Sequence, residues 1–153
     1  MNYKMVVFVL GRIFCIEAVL MLFPMLCAAC YGEWYLLPAF LLPAVLLAVL
    51  GLAASLRTPK NTTIFARDGL AIVALVWVLM SAFGALPFVI SGEIPSFIDA
   101  FFETVSGFTT TGSTILTDVE ALSHGTLFWR SFAHWVGGMG VLVFAMAVLP
   151  MTD

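Results

Sequence analysis

From Ser106 to Thr114 the chain reads Ser-Gly-Phe-Thr-Thr-Thr-Gly-Ser-Thr, and the chemistry this run offers is that of backbone oxygen. Threonine runs are poor helix formers. Unpaired backbone is costly in lipid, so non-helical chain at membrane depth persists only where it is buried in protein or lines a watery cavity. A loop whose carbonyls face such a cavity can replace the hydration shell of an ion. The alternative is an ordinary polar loop between two helices, and the surroundings must decide.

Those surroundings are apolar. The 153 residues are 63% hydrophobic and 10% charged, with a mean hydropathy of +1.13, whereas soluble chains average about 45–50% apolar and about 25% charged. Residues 34–56, 69–92 and 131–152 carry no Asp, Glu, Lys or Arg, and each meets the roughly 20-residue length of a spanning helix. Between Arg12 and Glu33 only Glu17 interrupts a further apolar run, which predicts a fourth span. Arg12 and Glu17 lie where the apolar core of a cleaved signal peptide would be, so that reading is set aside. Cys15, Cys27 and Cys30 fit no metal spacing and read as small hydrophobes. There is no G-x-S-x-G, no H-E-x-x-H and no phosphate-binding glycine loop, so an enzyme is not expected. No nucleic-acid partner is expected either; the partner of such a chain is the lipid bilayer.

The charges give an orientation. Lys4, Arg12, Arg57, Lys60 and Arg67 lie on one side of the expected spans, and Arg130 alone lies on the other with Glu33, Glu93, Asp99, Glu103, Asp118 and Glu120. By the positive-inside rule the N-terminus and the 57–68 loop are cytoplasmic, four crossings return the C-terminus to the cytoplasm, and the threonine loop faces out.

The segment before that loop is itself organised. Ser96 and Asp99 have the S-x-x-D form of a capping box after Pro95. Phe97, Ile98, Phe101, Phe102 and Val105 then form an apolar surface, with Asp99 and Glu103 sharing a face at i,i+4. A helix over 96–108 is roughly 20 Å long, short of the roughly 30 Å hydrocarbon core. The immediate Thr-Thr-Thr-Gly favours a helix that dips in and stops midway over one lying on the surface.

Span, short helix, T-x-G loop, span is the repeat of potassium channels. The wording of residues 101–112, Phe-Phe-Glu-Thr-Val-Ser-Gly-Phe-Thr-Thr-Thr-Gly, resembles the first repeat of the Trk/Ktr/HKT potassium transporter superfamily, closest to TrkH-type subunits. His134-Trp135-Val136-Gly137-Gly138-Met139-Gly140 in the last span is a second match. A third runs from Gly11-Arg12 through Phe23-Pro24 to Tyr31-Gly32, similar to the helix pair that precedes the first repeat. The resemblance implies an all-α, polytopic membrane protein with four transmembrane helices, one re-entrant pore helix and a filter loop. It implies a helix pair over 1–66 and a first pore repeat over 67–153, with pore helix 96–108 and filter 109–114. It implies potassium as substrate, no covalently bound cofactor, the prokaryotic plasma membrane, and a cytoplasmic nucleotide-binding regulatory subunit. Family members carry four such repeats around one pore. One repeat cannot encircle an ion, so the chain is expected to be the N-terminal part of a longer product or to self-assemble.

Aligning Gly112 with the first glycine of the channel filter makes Thr110, Thr111, Gly112 and Ser113 the carbonyl donors of one quadrant, with potassium held through Thr110, Thr111 and Gly112. Thr109 is then expected behind the filter. Glu103 needs a partner at that depth, either Arg130 or backbone amides behind the filter. Gly137, Gly138 and Gly140 permit close helix packing, and the family adds a gate below the filter. Arg12 and Glu17 read as an intramembrane pair or a snorkelling arginine, and His134 as packed or interfacial. The expected function is potassium uptake through a carbonyl filter. The alternative is a non-conducting membrane protein that acts by binding other subunits.

Overall fold

The computed structural model describes residues 2–148, with side chains through Val143. The described residues form six α-helices and two short 3-10 turns, with no strand: α1 Tyr3–Leu20, α2 Leu22–Cys30, α3 Leu37–Ser55, α4 Ala66–Ser91, α5 Phe97–Phe108 and α6 His124–Val148. Three stretches are long and apolar enough to cross a bilayer, namely Tyr3–Cys30, Trp34–Ser55 and Ala66–Ser91. The fourth expected span, 131–152, is helical as far as Val148, and its last residues lie outside the described ones.

The first span breaks between α1 and α2 at Met21. Pro24 has no N–H to give to the carbonyl four residues back and its ring crowds that carbonyl, so the regular ladder of α1 stops at Leu20. Farther back, α1 lies directly on α3. A Cβ at Gly11 would come within 2.9 Å of the Gly51 carbonyl oxygen, and one at Gly51 within 2.6 Å of the Gly11 oxygen. Backbone meets backbone there because Gly11 and Gly51 carry no side chain, with Ala54 and Cys15 packed beside them.

Beyond this pair, α4 packs on α5, and α5 on α6, which also reaches back to α2. α4 ends at Gly92, whose φ of +79° turns the chain into the next segment. Trp129 of α6 is the anchor of the core. Its ring meets Phe40 of α3 and Phe108 of α5 edge-on, each with centroids 6.3 Å apart. Its Nε1–H donates to the Gly84 carbonyl of α4 at 2.9 Å. One buried indole therefore ties three helices to α6.

Candidate functional site

The site begins at the N-cap of α5, where the Ser96 hydroxyl accepts from the Asp99 amide at 3.4 Å. The helix covers 12 residues, about 18 Å. Its two faces are the reverse of a soluble amphipathic helix. Phe97, Ile98, Asp99 and Phe102 point outward, while Ala100, Glu103, Thr104, Ser106, Gly107 and Phe108 are buried against α4 and α6. Asp99 and Glu103 do not share an environment, because the first is exposed and the second is 2% exposed. Phe97, Ile98 and Phe102 outside with Glu103 inside suits a helix whose outer surroundings are apolar, although Asp99 also faces out and Phe108 faces in.

The inward carboxylate is fully used. Glu103 accepts from the Arg130 guanidinium (Nε to Oε1), from the Thr114 hydroxyl at 2.9 Å and from the Ile115 amide at 3.2 Å. The two partners considered from sequence, Arg130 and loop amides, thus both meet it. Glu103 joins α5 to α6 through Arg130 and to the far limb of the loop through Thr114 and Ile115. The near limb is held by Ser106, whose carbonyl accepts from the Thr111 amide at 2.9 Å and whose hydroxyl donates to the Ser113 carbonyl at 2.5 Å.

Between these anchors the backbone alternates in hand. Thr110 has φ +57° and Gly112 φ +77°. A threonine in the left-handed region is strained and persists only where its neighbours hold it there. Among the described residues no hydrogen bond ends on the carbonyls of Thr110, Thr111 or Gly112. Ser113 differs, since its carbonyl faces back to Ser106. Thr109 is exposed, and its hydroxyl donates to the Val105 carbonyl at 2.6 Å and pairs with the Thr111 hydroxyl at 2.8 Å.

The three glycines of α6 are not equivalent. A Cβ on Gly137 would fall inside the Phe108 carbonyl group at the end of α5. One on Gly138 would sit 3.7 Å from Thr110 Cγ2, and one on Gly140 3.7 Å from the Trp77 ring, both ordinary contacts. Gly137 is the position the packing demands. His134 is half-buried, with Nδ1 2.9 Å from the Arg130 carbonyl of the preceding turn.

Several residues with structural roles were not singled out by the sequence. Glu33 caps α6, accepting from the His124 and Gly125 amides at 2.9 and 3.0 Å and meeting His124 Nδ1 at 2.9 Å, while Tyr31 stacks on the His124 ring. Burial works against the Glu33 anion, but the Gly125 and His124 amides and the His124 side chain together hold its carboxyl below the ordinary value. Glu93 accepts from the Ser123 amide at 2.9 Å just before the same helix. Acidic side chains at a helix N-terminus are a readable signal, but Glu33 comes from 91 residues away in sequence. Arg12 and Glu17 do not pair. Arg12 is exposed with its guanidinium 5.9 Å from the Phe8 ring centre, and both Glu17 oxygens are buried without a hydrogen-bond partner. Cys30 is exposed at the end of α2, while Cys15 and Cys27 are half-buried.

Fold and composition together define an all-α, multi-pass membrane protein. The family model for TrkH, described as a cation transport protein, matches residues 39–153. The chain is 36% identical over 151 residues to the Trk system potassium uptake protein TrkG of Escherichia coli (strain K12), covering 98% of this chain and 31% of that protein. It is 48% identical over 87 residues to the Trk system potassium uptake protein TrkH of the same strain, covering 56% of this chain and 18% of the relative. The crystal structure of the potassium transporter TrkH from Vibrio parahaemolyticus superimposes with a TM-score of 0.90 at 35% identity, over 98% of this chain and 32% of that one. The chain belongs to the TrkH family of cation transport proteins, a transport family and not one of enzymes. It spans about a third of the length of the relatives it matches over nearly all of its own.

Proposed function

We propose that this chain supplies one side of a potassium pathway, as part of a potassium uptake protein in a prokaryotic plasma membrane. The observation that carries the reading is the backbone at Thr110, Thr111 and Gly112, left-handed at its first and third residues, with carbonyls that, like those of the exposed loop on either side except Ser113, no hydrogen bond within the described residues uses. In a membrane protein such oxygens need water or a cation, and a filter supplies both. Glu103, Arg130 and Ser106 act as the frame that fixes them. Ser113 belongs to that frame, because its carbonyl is already engaged by Ser106. The names of the relatives, a potassium uptake protein and a potassium transporter, favour transport over a purely subunit-binding role.

In this reading residues 1–66 are a leading helix pair and residues 67–153 one pore repeat, with α5 re-entrant from the outer side. The N-terminus, the 57–68 loop and the C-terminus face the cytoplasm, where the resemblance places a nucleotide-binding regulatory subunit. Further repeats or subunits complete the ring, since one loop gives carbonyls on one side only.

The test is a pair of substitutions at Gly112 in the transporter that contains this chain. Nothing of this chain lies within 4 Å of a Cβ built there, so within this chain a side chain acts through φ +77° and not by collision. Alanine is strained in that region by about 1 kcal/mol, and asparagine tolerates it better. Gly112→Ala is expected to lower potassium-over-sodium selectivity in flux measurements, and Gly112→Asn to lower it less. Selectivity unchanged by Gly112→Ala would remove the filter assignment.

A further inference from the structure

At the end of the molecule opposite the threonine loop, the start of α1, the end of α3 and residues 57–61 enclose an open concavity of about 770 Å³. It is lined by three cations, Lys4, Arg57 and Lys60, and by apolar surface from Tyr3, Val7 and Leu56. All three cationic side chains are exposed, and none forms an ion pair among the described residues. Among the described residues, Asp68 is the carboxylate that the fold brings to this end. It is 1% exposed, and its two oxygens accept the amides of Asn2 at 3.3 Å and Phe65 at 3.2 Å. It shapes the wall and pairs with none of the three cations, which have no counter-ion among the described residues.

The wall is built, not merely draped. Asn2 Nδ2 donates to the Asn61 carbonyl at 2.9 Å, Asn2 Oδ1 accepts the Met5 amide at 3.3 Å, and the Thr63 amide donates to Asn61 Oδ1 at 3.0 Å. The loop carrying Arg57 and Lys60 is thereby fastened to the start of the helix carrying Lys4. Beside these charges Leu56 is 79% and Tyr3 67% exposed. A soluble anion has no use for that apolar flank. A molecule with an anionic head and a hydrocarbon tail uses both, and the position matches, because α1 and α3 are spanning helices that end here. Basic pockets between spanning helices at the membrane surface are suited to lipid head groups.

We propose that this concavity binds an anionic phospholipid, its phosphate held by Lys4, Arg57 and Lys60 and its acyl chains running down the α1–α3 surface past Leu56 and Val7. The site requires only that these helix ends lie at a membrane surface, and it is independent of the filter assignment.

The experiment uses the native protein that carries this chain, reconstituted in nanodiscs of mixed phosphatidylcholine and phosphatidylglycerol, with retained lipid read by native mass spectrometry. Phosphatidylglycerol is expected to be retained over phosphatidylcholine, and the triple variant Lys4→Gln, Arg57→Gln, Lys60→Gln to retain about tenfold less of it. Arg12→Gln, a cation elsewhere on α1, is expected to retain as much as the wild type. Millimolar inorganic phosphate is expected not to displace the lipid; displacement would assign the site to a free anion and overturn the lipid proposal. Equal retention of the two lipids by the wild type, or undiminished retention by the triple variant, would overturn it as well. Should the triple variant not fold, Lys60→Gln on the exposed loop carries the comparison, with a loss of about threefold expected. Retention is read without transport, so an absent potassium flux leaves this result standing.

Discussion

Glu103 and Arg130 are coupled by burial as well as by contact, because the carboxylate is 1% and the guanidinium side chain 15% exposed. Removing one member of such a pair leaves an uncompensated charge, a loss of about 3–5 kcal/mol. Arg130→Met is therefore expected to lower the unfolding temperature in detergent strongly, and the double variant Arg130→Met, Glu103→Gln to recover part of the loss. A double variant as unstable as the sum of the two single ones would show that no coupling exists. The need of Glu103 for a partner was legible in the sequence from its depth, and Arg130 was the one cation on its side. What the sequence could not give is that one carboxylate meets Arg130, Thr114 and Ile115 at once. That convergence depends on how the loop folds back over α5. The turned-back carbonyl of Ser113 was hidden for the same reason, since spacing counts residues and does not say which way a peptide plane faces.

At the scale of the helices, the close contact at Gly137 and the cap at Glu33 each make a measurable claim. Gly137→Ala forces α6 away from the end of α5, and overpacking of this kind costs about 1–3 kcal/mol. Gly138→Ala meets nothing closer than 3.7 Å, and in a helix interior alanine is favoured over glycine by about 1 kcal/mol. Thermal unfolding is thus expected to fall for the first and to hold or rise for the second; equal losses would contradict the packing described. Glu33 joins α6 to the turn after α2, and its carboxyl lies below its ordinary value. A carboxyl lowered by folding stabilises above its unfolded value, and that stability disappears as pH falls through the folded one. Acid unfolding is expected to begin at higher pH in Glu33→Gln than in the wild type, and the variant's stability to change less between neutral pH and the carboxylate range. The helices themselves were legible as uninterrupted apolar runs. The break at Met21 was written in Pro24 but masked by the hydrophobicity around it.

For the molecule as a whole, orientation rests on five basic residues against one. Lys60 and Glu120 are both exposed and lie in loops on opposite sides in the proposed topology. In a background free of Cys15, Cys27 and Cys30, Glu120→Cys is expected to react with an impermeant thiol reagent added outside intact cells, and Lys60→Cys only after lysis. Reaction of Lys60→Cys from outside would invert the topology. The class of the molecule was legible from composition, and its family from three short stretches that keep their order along the chain. The inverted faces of α5 were not, because the rule that apolar residues turn inward assumes water outside. Phe97, Ile98 and Phe102 point away from the chain's own core, an exposure that suits apolar surroundings.

The fit of Gly137 against Phe108 also sets the register of two helices. Ala133, one turn earlier on α6, lies 3.2 Å from where a Cβ on Gly107 would stand, so Ala133 and Gly137 make a shallow trough that receives the last turn of α5. Sliding α6 by four residues in either direction would bring Ala133 or Val141 to the place of Gly137, and both carry the Cβ that the Phe108 carbonyl excludes; of the residues three away, His134 carries one and Gly140 does not. The two helices therefore behave as a keyed joint seated at Gly137, with Gly140 the one place a turn away that carries no Cβ. A rearrangement that keeps this seat carries α5, its loop and this part of α6 as one piece, or else bends α6 beyond Gly137.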